Sequence, residues 1–176
     1  MMKTKIRIEG DALASAYAVY IIELSNDGKQ YYYIGQTGDG HYITARPPFR
    51  RLVGHLENKN RSTQNQIYKF VAYEMLGFEK RDKKIDFTLH EKEAIENWLT
   101  NSTVEMTEYK LETFDFHASK EPHTEKRRAV LEFEKKVIRL FSNAGKVLIN
   151  KSQPTPKSDI IAYPEAYADI RKEFGV

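Results

Sequence analysis

Six side chains in this sequence carry groups able to act on a substrate: Tyr20 and Tyr33 in two apolar, strand-like stretches, Arg51 and His55 in one helical segment, Glu134 in another, and Asn150 closing a short apolar run. Glu134 most needs an explanation. Val130, Leu131, Val137, Ile138 and Phe141 recur at helical spacing, and Glu134 falls inside the face they form, whereas Glu132 belongs with Arg128, Lys135, Lys136 and Arg139 on the polar side. A carboxylate on a buried face is costly unless a cation, hydrogen bonds or a metal compensates it. A helix register displaced by one residue, or a buried salt bridge to Arg51, would account for it without function; a metal or a catalytic role is the other reading. Cysteine is absent, so any metal must be held by carboxylate, imidazole or water, which points to a hard ion. Arg51 and His55, four residues apart, share one flank of their helix. The bland reading of the two tyrosines is packing, because a flat ring suits a pleated surface. Asn150 would look the same as a turn residue at a strand end. Trp98, with Ile95 and Leu99, reads as core; His41, His90, His117 and His123 fall in predicted loops or at element ends and read as surface residues.

The elements that must position these groups begin with a predicted hairpin, Tyr17 to Leu24 and Gln30 to Gly35. Asp27-Gly28 suits a two-residue type I′ turn, in which both central positions need positive φ. With that loop Asn26 lies opposite Lys29, Ile22 opposite Tyr33 and Tyr20 opposite Gly35, so Tyr20 and Tyr33 become diagonal neighbours on one face. A three-residue loop would put them on opposite faces. Gly35, lacking a side chain, would leave room for backbone or a ligand to approach the Tyr20 phenol. Pro47-Pro48 admits a helix starting near Phe49, with Phe49, Leu52, Val53 and Leu56 as its buried stripe. Ser62-Thr63 is a plausible cap for a helix through "QNQIYKFVAYEML" that stops at Gly77, and "HEKEAIENWLTN" is a third helical piece. The alternation in "TVEMTEYKLETFDF" predicts the third strand. Glu121-Pro122 opens a long helix to about Asn143, ended by Gly145. "KSQPTPKSD" is a linker in character, and "PEAYADIRKEFG" an amphipathic terminal helix that could pack on the core or reach for a partner.

The chain of 176 residues is long enough for one good core, and a composition of 30% charged and 40% hydrophobic residues is that of a soluble globular protein. No apolar run approaches the length that crosses a bilayer, and the first residues lack the apolar stretch of a secretory signal, so a cytoplasmic protein without membrane contact is expected. The net charge of +3 says little by itself. Its distribution says more: "ARPPFRRLVGHLENKNR" and "EKRRAVLEFEKKVIR" are basic and the stretch between them is acidic. One positive face could meet phosphates, although solvated basic helix surfaces are common.

"AVY" at 18–20 and "YIG" at 33–35, then Arg51 and His55 in "RLVGH", Glu134 in "LEFEKKVI" and Asn150 in "VLIN", together resemble the ordered signature of the GIY-YIG nuclease family. Each piece alone is a weak signal; their order and predicted settings agree. The resemblance covers roughly 16–77 and 125–151, and departs from the family pattern at Ala18 and Val19, which replace Gly and Ile, and in a slightly long gap before Tyr33. Tyr33 rather than Tyr31 or Tyr32 takes the second tyrosine role, because Ile34-Gly35 follows it. The implied fold is α+β: a central three-stranded antiparallel β-sheet flanked by helices. Residues 1–151 would form the nuclease domain, with an insertion at 78–124, and 152–176 a linker and helical tail.

The resemblance implies Mg²⁺- or Mn²⁺-dependent hydrolysis of DNA phosphodiester bonds, leaving 5′-phosphate and 3′-hydroxyl ends. The residue types suit that chemistry, because a phosphodiester repels hydroxide and needs positive charge and a proton acceptor nearby. Glu134 would hold the metal, Arg51 would grip the phosphate, and Tyr20 would contact the attacking water as base or relay. His55 would take the proton onward, with a pKa near neutrality. Tyr33 would orient water or phosphate, and Asn150 would play a supporting part. RNA stays open as a target, as does dimerisation for cutting both strands. Specificity would reside in the loop from Gly38 to Pro48, the insertion or the terminal helix. The alternative is an inactive module of the same fold that only binds nucleic acid; a third reading is an interaction protein whose hairpin tyrosines merely pack.

Overall fold

Asp27 and Gly28 both adopt positive φ, 48° and 72°, and this turn folds β1 (Ala16–Asn26) back onto β2 (Lys29–Gln36). In this computed structural model, which describes residues 5–60, 62, 64–152 and 154–176, the register is the expected one: Asn26 pairs with Lys29, Ile22 with Tyr33 and Tyr20 with Gly35. The third strand, β3 (Ser102–Thr113), pairs antiparallel along the other side of β1, with a bulge at Tyr17/Ala18. The described residues therefore form an α+β fold around a three-stranded antiparallel sheet in the order β2-β1-β3.

Helices cover both faces of β1, which is why its sequence is an almost unbroken apolar run. On one face Tyr17, Val19 and Ile21 pack against Val130, Phe133, Val137 and Phe141 of α4 (Lys120–Asn143). On the other, Tyr20, Ile22 and Leu24 meet α2 (Gln66–Phe70), the π-helical turn Val71–Met75 that continues it, and α3 (Leu89–Thr100). Ile95 of α3 is fully buried and Trp98 packs beside it, as their pattern predicts. Thr88 and Glu91 close a capping box that starts α3 one residue before its expected beginning. Gly77 and Gly145 end their helical segments with positive φ. Asn65 rather than Ser62 precedes α2; Thr63, the other half of the expected cap, lies outside the described residues.

The terminal helix α5 (Pro164–Phe174) packs on the core. Ile170 is fully buried there, and Tyr163 and Tyr167 make edge contacts with Phe133 of α4, at 5.4 and 6.3 Å. The segment leading into α5 covers part of the side of α4 expected to be polar: Lys136 is buried and donates to the Ile160 carbonyl, and Glu132 accepts from the Lys157 N–H at 2.8 Å. Two other expectations are corrected. Val53 of α1 (Pro48–His55) is 55% exposed; Leu52 and Leu56 of the expected stripe do pack on the core, beside the buried Pro48 and His55. His123, in the first turn of α4, is buried between the Tyr17 hydroxyl and the Asp39 carbonyl. No helix among the described residues is long and apolar enough to cross a membrane.

Candidate active site

The two-residue turn sets Tyr20 and Tyr33 on the same face, with ring centroids 6.3 Å apart. Tyr20 lies directly over Gly35. A Cβ at that position would fall 2.5 Å from Cζ of Tyr20 and 2.9 Å from Cε2, so only glycine leaves the phenol where it is. α1 delivers the next two groups from one flank. His55 approaches the Tyr20 hydroxyl with Nε2 at 3.0 Å and lies against the Tyr33 ring, tilted at 54° with 4.3 Å between centroids. Arg51, one turn earlier, donates from Nη2 to the Thr37 carbonyl at 3.0 Å, while its Nε is buried without a hydrogen-bond partner.

Thr37 was not singled out by the sequence, yet it fixes this corner. Its hydroxyl donates to the Ala16 carbonyl and accepts from the Ala18 N–H at 2.9 Å, tying the end of β2 to the start of β1. A buried β-branched hydroxyl just past a strand end is the only local signal it gave. Asn150 also acts on the backbone: its amide donates to the Ile34 carbonyl at 2.7 Å and accepts from the Ile34 N–H at 2.9 Å. It continues the edge pairing that Val147 and Ile149 make with Tyr32, and so holds the strand that carries Tyr33.

Glu134 reaches the group from α4, in the other layer, and its charge acts on both phenols and on Arg51. It is only partly exposed, and burial raises its pKa from the ordinary 4.5 to about 7 against the opposing pull of Arg51, Lys135 and Arg127. Among the described residues the carboxylate makes no hydrogen bond and no ion pair. The permanent salt bridge to Arg51 that would have explained it structurally is therefore absent from the described residues. Its neighbour Glu132 behaves oppositely: bonded to Lys135 Nζ and to the Lys157 N–H, it has a lowered pKa.

The site has an inner and an outer layer. Tyr20 and His55 are buried, at 2% and 3% exposure, whereas Tyr33, Arg51 and Glu134 are partly open. Burial, with Tyr33 and Glu134, pushes the Tyr20 pKa well above 10 despite Arg51, and burial raises Tyr33 to about 12. Burial and then the Arg51 charge pull His55 down to about 4. The expectation that His55 titrates near neutrality is corrected accordingly: it is a neutral imidazole at physiological pH, with the Tyr20 hydroxyl positioned to donate to Nε2.

One further residue joins the group. Arg127 stands seven positions before Glu134 on the same flank of α4, a spacing of two turns that a scan for charge on that flank would have found.

Among the described residues no three His, Cys, Asp or Glu side chains gather into a cage for a metal. Mg²⁺ does not need one, since it binds through one or two carboxylates and keeps several waters. Glu134, a partly open carboxylate without a hydrogen bond or ion pair among the described residues, is an oxygen ligand of that hard kind, and its charge is felt by both phenols. No protein-family model, curated protein or solved structure matches the chain.

Proposed function

We propose that the chain is a Mg²⁺-dependent endonuclease of the GIY-YIG type that hydrolyses DNA phosphodiester bonds, leaving 5′-phosphate and 3′-hydroxyl ends. The observation that carries this reading is the Glu134 carboxylate, held without a partner beside two phenols and an arginine. A side chain kept in so costly a state is a mark of function more often than of packing. Glu134 would hold Mg²⁺, or Mn²⁺ in its place. When bound, the ion would offset negative charge developing on the phosphate.

The protein groups divide the remaining work. Arg51 grips the scissile phosphate with its permanently charged fork, already aimed by the Thr37 carbonyl. Tyr33, on the open side, orients the attacking water or the phosphate. Tyr20 is too strongly held in its protonated form to serve as a standing phenolate, so it acts as a relay. As the water oxygen bonds to phosphorus and the P–O3′ bond breaks, Tyr20 takes the water proton and passes its own to Nε2 of His55. The 3′ oxygen takes up a proton from solvent.

The low basicity of His55 is partly the work of Arg51. A phosphate on Arg51 cancels much of that field, so His55 becomes a better acceptor when substrate is in place. Asn150 supports the site through the backbone of β2. The cytoplasm is the compartment in which we place this activity, and cutting both strands with one site calls for two molecules or two successive events.

The test is incubation with supercoiled plasmid, single-stranded DNA, RNA and a branched junction, with Mg²⁺ or chelator, beside Glu134→Ala and Arg51→Ala. Metal-dependent cutting lost in both variants supports the enzyme. Binding without any cutting by the parent protein would replace it with the inactive module.

A further inference from the structure

We propose that Arg127 forms a second anion site, which binds a non-scissile phosphodiester group of the nucleic acid while Arg51 holds the scissile one. The inference rests on the nuclease reading above and extends it to how the substrate backbone is laid along α4. Arg127 and Glu134 project from the same flank of that helix, about 10 Å apart along its axis. The guanidinium is thus close enough to act on the Glu134 charge. It is also far enough along the helix to meet a different phosphate.

The arginine is set in a built cradle. Its stem and head lie across the loop that follows β2: a Cβ at Gly38 would fall 3.1 Å from Cγ, and one at Gly40 would fall 3.0 Å from Nη2. The two glycines of "TGDG" leave the space that it fills. That loop is docked to α4 by His123, one turn before Arg127. The Asp39 carbonyl can only accept, so His123 donates to it from Nε2 at 3.0 Å and accepts the Tyr17 hydroxyl at Nδ1, at 2.7 Å. The Asp39 carboxylate is engaged elsewhere, accepting from the His41 and Tyr42 N–H groups and pairing with Arg46 at 3.5 Å.

Arg127 meets Glu134 only through space and has no direct partner among the described residues. Its Nε is buried without a hydrogen-bond partner, and among the described residues its guanidinium makes no ion pair. An N–H of a charged group withdrawn from water and unpaired is costly, and an anion bound at the open side of the same guanidinium offsets the charge that makes it so. Arg51 shares the condition, its Nε also buried and unpartnered. Two prepositioned guanidinium groups with spare donors flank one carboxylate, an arrangement suited to a chain of phosphodiesters.

The test is equilibrium binding of a fluorescently labelled DNA duplex to the full chain in chelator, across a range of NaCl concentrations. Three variants accompany the parent: Arg127→Ala; Arg127→Gln, which keeps the stem over Gly38 and Gly40 and serves if alanine prevents folding; and Arg128→Ala, which removes an equal charge from an exposed neighbour. Loss of one phosphate contact should make the slope of log K against log [salt] shallower by about 0.9 in the Arg127 variants and leave it unchanged in Arg128→Ala. With Mg²⁺, the Arg127 variants should raise KM about tenfold and change kcat less than threefold. A parent that binds and cuts, with Arg127 variants matching its slope or shifting no more than Arg128→Ala, overturns the second site and leaves the nuclease intact. A parent that neither binds nor cuts overturns both.

Discussion

Replacing Glu134 with glutamine should make the metal-free protein more stable, and only toward neutral and alkaline pH. The folded-state pKa is raised from 4.5 to about 7. Well below pH 4.5 both folded and unfolded chains carry the proton, and the ionisation of Glu134 costs nothing. Between pH 4.5 and 7 the unfolded chain has released it and the folded chain has not, so the folded state binds more protons and stability falls as pH rises. Above 7 the full cost is present, and at about 1.4 kcal/mol per unit it comes to roughly 3 kcal/mol. For a chain of this size that is a rise in Tm of about 6–12 °C for Glu134→Gln at pH 8.5, shrinking toward zero at pH 4.

The assay is urea or thermal unfolding of both proteins in chelator at pH 4 and 8.5, repeated at pH 8.5 with Mg²⁺. His55, whose pKa is lowered, tilts the same curve the other way, so the difference between the two proteins is the quantity to read. Mg²⁺ at a hundred times its dissociation constant should return about 2.7 kcal/mol to the parent and little to the variant. A glutamine variant that is no more stable at pH 8.5, or equally more stable at both pH values, would refute the reasoning that this carboxylate is buried without compensation.

Gly35→Ala should displace the Tyr20 ring, destabilise the fold by about 1–3 kcal/mol through overpacking, and lower kcat far more than it raises KM; unfolding and steady-state cleavage read the two effects. His55→Gln should flatten the acid limb of the stability curve, because the lowered pKa makes the native histidine favour folding above pH 6.5 and lose that contribution as pH falls toward 4; a parallel pair of curves would count against it. Asn150→Ala leaves the Ile34 N–H and carbonyl without their partner and should cost about 1–3 kcal/mol. Asn150→Asp, which keeps an acceptor and loses the donor, should not restore it in a denaturant titration.

The sequence by itself determined the local geometry. Asp27-Gly28 imposes positive φ at two positions, and that chemistry set the register that puts Tyr33 diagonal to Tyr20 and Gly35 beneath its ring. Helical spacing alone set Glu134 apart from Glu132. These are matters of a few neighbouring residues, where turn type and periodicity act directly. Tertiary structure decided the charge states and the covering of surfaces. The segment leading into the terminal helix covers a flank of α4 and meets the buried Lys136, Arg127 lies across the loop after β2, and His123 goes inside because Tyr17 and Asp39 meet it there. The pKa of His55, the unpaired state of Glu134 and the unmet donors of Arg127 all depend on which elements stack together. Desolvation and long-range charge are sums over neighbours distant in sequence, so no local pattern could carry them.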